Sequence, residues 1–184
     1  MLELDAQTTA LILVDLQKGI LALPRAPYSG AEVFARGIEL ADLFRAAKAA
    51  VVRVRVDLGG VGGPPGKVDA TLAPGALPPD FAEFPDDPAA QGDLIVTKRH
   101  WGSFHGTDLD LLLRRRGIRT VVIGGIATNI GVESTARSAH EHSYDVVLVE
   151  DATTGQSAEM HEFAFKNIFP RLGRVVKAAD LQLA

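Results

Sequence analysis

Thr9-Ala10-Leu11-Ile12-Leu13-Val14-Asp15-Leu16-Gln17 is the stretch that decides the fold. Ala10 to Val14 is a short, unbroken apolar run, the signature of a strand buried on both faces, and it ends on a carboxylate. Comparable runs recur at Ala50 to Val56, Leu94 to Thr97, Thr120 to Ile123, Val146 to Val149 and Arg174 to Val176, each expected to be covered on both faces. Between the first two, Ala31 to Ala47 sets Val33, Phe34, Ile38, Leu40, Ala41 and Phe44 at helical spacing, opposite Arg36, Glu39 and Arg45. Further helices are expected around Leu109, Leu112 and Leu113 after Thr107, and around Val132, Thr135, Ala136 and Ala139. A last one is expected around Phe163, Ala164 and Ile168, with Ser157 as its N-cap. Strand alternating with helix predicts an α/β fold: a doubly wound, mainly parallel six-stranded sheet with helices on both faces, a Rossmann-like three-layer sandwich. In such folds the ligand site lies beyond the carboxyl ends of the strands, where Asp15 stands.

The 184 residues fit one domain spanning 1–184, and 47% hydrophobic with 23% charged residues is the composition of a globular chain. A net charge of -4 gives no footprint for nucleic acid, and Arg114 to Arg116 reads as the exposed end of a helix. No apolar run approaches the ~20 residues of a membrane span, and Met1 opens no basic leader, so a cytoplasmic protein is expected. There is no cysteine, hence no disulfide, thiolate metal site or thiol nucleophile. The segment Asp57 to Gln91 is crowded with glycine and proline and shows no long periodicity; it reads as a cover over the site or as a disordered loop.

Three places along the chain could carry chemistry. Asp15 faces the expected crevice, although it could equally cap the next turn. Lys98 follows an inner strand as Asp15 follows its own, and two adjacent strand ends would bring acid and base together. Arg99, His100, Trp101, Phe104 and His105 come next; Trp101 and Phe104 are expected to wall a small-molecule pocket, core packing being the alternative. Gly124-Gly125-Ile126-Ala127-Thr128-Asn129-Ile130-Gly131 joins a strand to a helix and could cradle an anion or oxyanion, or simply let the helix pack closely. Its spacing fits neither the dinucleotide nor the phosphate-loop pattern. His140, His142 and His161 lack carboxylate or cysteine partners at ligand spacing, so no metal site and no cofactor is expected.

Taken together, Thr9 to Gln17, Lys98 with Gly106-Thr107-Asp108-Leu109, and Ile126 to Arg137 resemble the isochorismatase-like hydrolases, a superfamily that includes nicotinamidases, N-carbamoylsarcosine amidases and isochorismatases. The resemblance implies that Asp15 and Lys98 match an aspartate and lysine that activate a cysteine nucleophile at the position of Gly131. It further implies a cis peptide between Ile126 and Ala127, with nearby N–H groups holding an oxyanion. Gln17, Trp101, Phe104, Ile126, Ala127, Thr128 and Ile130 are the substrate contacts it suggests. Glycine at 131 excludes the covalent amide route, yet isochorismatases also carry glycine there, because hydrolysis of a vinyl ether needs a proton and a water rather than a nucleophilic side chain. The nicotinamidase-type metal site is not matched, since Asp57 lacks the accompanying histidines. Family members are commonly dimers or tetramers, which implies a homo-oligomer with Phe104, Ile130 and Glu133 near subunit contacts. Two other readings stay open: a binding or interaction protein that keeps the pocket without catalysis, and an amidase using water activated by Asp15.

Overall fold

The computed structural model describes residues 1–58, 67–69 and 77–184. Its centre is β2 (Thr9–Val14), wholly buried and flanked by β3 (Ala50–Val56) and β5 (Thr120–Ile126). With β4 (Leu94–Lys98), β6 (Asp145–Thr154) and β7 (Arg174–Val176) these form a six-stranded sheet in the order β4-β3-β2-β5-β6-β7, every neighbouring pair parallel. Parallel neighbours require crossovers, and the helices that provide them cover both faces. On one face Leu11, Leu13, Val51, Val122 and Val147 pack with Val33, Leu40 and Phe44 of α2 (Gly30–Ala46), which follows the short α1 (Lys18–Leu21). On the other, Ala10, Ile12, Val52, Val121 and Ile123 meet α3 (Leu109–Arg114), α4 (Glu133–Glu141) and the Phe165–Phe169 region. The doubly wound α/β architecture expected from the alternation is the one observed.

Local chemistry explains where the helices start. Ser29 accepts from the Glu32 N–H while the Glu32 carboxylate accepts from the Ser29 N–H, a reciprocal cap on α2. Ser157 accepts from Met160 N and so begins α5 (Ala158–Phe163), as its position suggested. A π-helical turn (Ala164–Ile168) and α6 (Phe169–Leu172) follow.

Several expectations need correction. β4 and β7 are edge strands, so they are not covered on both faces: Ile95 and Val175 are exposed. The runs at 120–123 and 146–149 continue as strand to Ile126 and Thr154. Gly124 and Gly125 therefore lie within β5, not in the turn that follows. A Cβ at Gly125, whose φ is +121°, would come within 2.1 Å of the Val14 carbonyl oxygen, so glycine there serves close packing of β5 on β2. A second, two-stranded parallel sheet pairs β1 (Leu2–Leu4), at the strand-like start of the chain, with β8 (Leu181–Leu183), whose three residues are too few to show a period.

Of the glycine- and proline-rich segment, residues 59–66 and 70–76 lie outside the described residues. Its later part folds down beside the start of α1. Lys18 N donates to Glu83 O at 2.8 Å and Gly19 N to Phe81 O at 3.1 Å. Arg53, buried on β3, forks onto both carboxylate oxygens of Asp86 at 2.7 and 2.9 Å, and Arg45 of α2 holds Asp93 the same way. Among the described residues no helix is long and apolar enough to cross a membrane.

Candidate active site

Asp15 sits where β2 leaves the sheet. Its φ of +54° is in the left-handed region, which aspartate tolerates better than most residues, and its N–H donates to Val54 O at 2.9 Å, holding the turn to β3. The side chain is buried, and Oδ2 lies 2.8 Å from Lys98 Nζ. The other oxygen, Oδ1, is buried and accepts no hydrogen bond among the described residues. Burial raises the pKa from 3.8 to about 6, and the charge and hydrogen bond of Lys98 restrain the rise.

The adjacency expected of Asp15 and Lys98 is corrected by the strand order. β3 lies between β2 and β4, and β4 is an edge strand rather than an inner one. The pair meets because Val56 and Lys98 end their strands in register and the four-carbon lysine stem crosses β3. Lys98 Nζ also donates to Trp101 O at 2.8 Å and to His100 O at 3.2 Å. An ammonium has three N–H donors, so all three are engaged within the chain. Lys98 is a fixed cation beside Asp15.

Past β5 the chain makes the Ile126–Ala127 cis peptide and enters one turn of π-helix, Thr128–Val132, that runs directly into α4. Gly131 belongs to this turn and is buried. A Cβ built there would lie 3.2 Å from Asp15 Oδ2, 3.3 Å from Val14 Cγ1 and 3.4 Å from Ile126 O. Any side chain at 131 would thus start against the Asp15 carboxylate. Ile130 N and Val132 N donate to Ala127 O at 3.0 and 3.2 Å, so it is the N–H groups ahead of Ile130, at the positive end of the dipole, that can receive negative charge. Thr135, one turn on, donates to Gly131 O at 2.7 Å and accepts from Ser103 N at 3.1 Å, tying the loop after Lys98 to the Gly131 turn.

The remaining expected contacts divide. Ile126, the last residue of β5, is buried in the core on the α2 face; Thr128 is buried in the turn, with Ala127 and Ile130 half-buried beside it. Trp101 accepts from Lys98 through its carbonyl and is 65% exposed as a residue. Gln17 does not present its amide to a substrate: Nε2 donates to Val56 O and Phe81 O at 2.9 Å each, and Oε1 accepts from Val56 N at 2.7 Å. It is a staple between β3 and the segment around Phe81. Phe104 belongs to the core, its ring stacked on His142 and near Tyr144 at the opposite, amino end of β6. Both placements follow from saturation, one of hydrogen bonds and the other of apolar contacts.

Sequence reasoning missed a polar chain on the β6 side of the turn, buried at Thr128 and His161 and half-buried at Glu150 and Tyr28. Thr128 Oγ1 lies 2.9 Å from His161 Nδ1, His161 Nε2 lies 3.3 Å from Glu150 Oε1, and the Tyr28 hydroxyl donates to the same Glu150 oxygen at 2.9 Å. No local spacing announces it, because its members come from three separate elements and the loop before α2. Among the described residues no group of three or more His, Cys, Asp or Glu side chains is arranged to hold a metal ion.

Comparison with known proteins agrees with this architecture. Residues 9–180 match the Isochorismatase domain. The isochorismatase family protein YecD of Escherichia coli O157:H7 is 46% identical, over 98% of each chain. A ureidoacrylate amidohydrolase, RutB, of Methylorubrum extorquens is 35% identical over 98% of this chain and 84% of its own. The solved structure of an isochorismatase family protein from Burkholderia thailandensis superposes with a TM-score of 0.88 at 48% identity, covering 95% of this chain and 94% of that one.

Proposed function

The chain belongs to the isochorismatase family, and from that premise we propose that it is a hydrolase in which Asp15 delivers a proton to a small-molecule substrate of the vinyl-ether type. The observation that carries the reading is the pairing of a buried carboxyl of raised pKa with glycine at the neighbouring position 131. A proton donor stands ready where a nucleophile has no side chain. Protonated Asp15 gives its proton to the terminal methylene carbon, and the carbon bearing the ether oxygen becomes an oxocarbenium ion. Water adds there and loses a proton to solvent. The hemiketal then breaks its bond to the leaving alcohol, giving a 2-oxo acid, pyruvate in the case of isochorismate, and a diol. Lys98, with all three N–H groups engaged, steadies the Asp15 carboxylate left after transfer rather than gripping the substrate. The N–H groups at the start of the Thr128 turn hold a substrate oxygen that carries negative charge.

The relative that hydrolyses ureidoacrylate raises amide chemistry as the competitor. Glycine at 131 and the absence of cysteine from the chain weigh against it, since no thiol can form an acyl-enzyme. The test is pyruvate release from isochorismate by the purified protein, with Asp15→Asn and Lys98→Ala beside it and ureidoacrylate and nicotinamide as amide controls. Pyruvate from the parent protein and none from Asp15→Asn supports the reading. Turnover of an amide, or of nothing, overturns it, the latter in favour of a binding role.

A further inference from the structure

The polar chain behind the cis peptide has a fixed direction. A carboxylate accepts hydrogen bonds and donates none, so the His161 nitrogen facing Glu150, Nε2, carries the ring proton. Nδ1 then keeps its lone pair, and the Thr128 hydroxyl is the donor across the 2.9 Å contact. Tyr28 donates to the same Glu150 oxygen, which leaves that carboxylate acceptor-only, and Phe165 lies against the imidazole with ring centroids 4.6 Å apart. Thr128 is wholly buried and His161 nearly so, and burial lowers the imidazole pKa, which favours the neutral ring this arrangement requires.

The Gly131 turn is therefore held at two points. On one side Thr135 grips the Gly131 carbonyl, and Ser103 grips Thr135. On the other, His161 grips the Thr128 side chain. The two ties bracket the residues that bring Gly131 against Asp15. An apolar pair would fill the same volume without fixing a rotamer, and buried networks that are fully paired rigidify what they touch.

We propose that His161 is a positioning residue: as the neutral Nε2–H tautomer set by Glu150, it takes the Thr128 hydroxyl proton in a hydrogen bond and so holds the Ala127–Gly131 backbone in register with Asp15. The consequence for turnover rests on the acid chemistry proposed above; the tautomer and its grip on the turn do not.

Long-range proton–nitrogen correlation on 15N-labelled protein at neutral pH reads the tautomer directly, with Nδ1 expected bare and Nε2 protonated. Thr128→Val keeps the shape and removes the donor. It is expected to leave the KM for isochorismate near the parental value and to lower kcat about tenfold, with Thr128→Ser restoring it. Backbone amide exchange at Asn129 to Gly131 is expected to quicken in Thr128→Val while β3 keeps its protection. Glu150→Ala removes the acceptor from Nε2, and the share of the ring protonated at Nε2 is expected to fall below that of the parent. A protonated Nδ1 in the parent, local exchange unchanged in Thr128→Val, or protection lost throughout the sheet would each overturn the proposal. If the parent releases no pyruvate, the proposed reaction has failed and the inference is judged on nitrogen shifts and local exchange, which need no substrate.

Discussion

Lys98 Nζ lies 2.8 Å from Asp15 Oδ2 although a complete strand separates the strands that carry them. The lysine has no donor left over, while one Asp15 oxygen has no partner among the described residues. On the proposed reading those two facts divide the labour: Lys98 sets the field and Asp15 moves the proton.

If Asp15 acts as an acid, kcat/KM for isochorismate falls as pH rises through about 6, because the protonated form disappears. A base at the same position would give a limb that rises instead. Lys98→Met removes the charge and the hydrogen bond that restrain the pKa, so the acid limb is expected to move above that of the parent. A pH–rate profile of both proteins checks the sign and the displacement.

Gly131→Ala places a methyl 3.2 Å from the Asp15 oxygen and 3.3 Å from Val14 Cγ1. Those contacts are tight without being prohibitive, so the variant is expected to fold. Displacing the reacting groups at this spot is expected to lower kcat/KM on the order of a hundredfold. Parental turnover in the folded variant would remove Gly131 from the reacting centre.

Asp15 also links stability to pH. Its folded pKa of about 6 exceeds the ordinary 3.8, so the folded state binds the proton more tightly. The stabilisation this brings is present below 3.8 and lost as pH rises to about 6, to a total of about 3 kcal/mol. Asp15→Asn does not titrate. Urea unfolding at a series of pH values is expected to show the variant gaining on the parent by roughly that amount between acid and neutral conditions.

Arg53 is expected to matter for stability rather than chemistry. Its guanidinium is wholly buried, forks onto Asp86 and lies 5.1 Å from the centre of the Phe84 ring. Arg53→Ala is expected to cost about 3 kcal/mol in urea unfolding and to open the segment around Phe84 to protease. Unchanged cleavage there would show that the segment is held by Gln17, Lys18 and its backbone bonds to α1 without help from Arg53.

Much of this arrangement was legible in the sequence, and the limits are instructive. Ala10 to Val14 is a central strand because it is apolar throughout, and Asp15 interrupts it where the sheet ends. The cis peptide at Ile126–Ala127 is where the family resemblance put it. What could not be read was spatial order. Nothing in Leu94 to Thr97 says that it takes an edge, so Lys98 was paired with Asp15 through the wrong geometry. Arg53 hides inside a strand, and its counter-ion arrives from a loop with no pattern of its own. Gln17 and Phe104 looked available for a ligand because sequence shows a side chain's chemistry but not which of its bonds and faces are already taken.

The edge position of β4 makes turnover a proofreader of strand registry. A slip of β4 by one residue against β3 would turn Lys98 to the other face and bring Thr97 or Arg99 to its place, leaving Asp15 opposite a hydroxyl or a bulkier guanidinium instead of its ammonium. Apolar packing alone would penalise such a slip weakly on a half-exposed strand. Under the proposed mechanism the site would penalise it in full, so a preparation that turned over at its normal rate would thereby report that its outermost strand had docked in the correct frame.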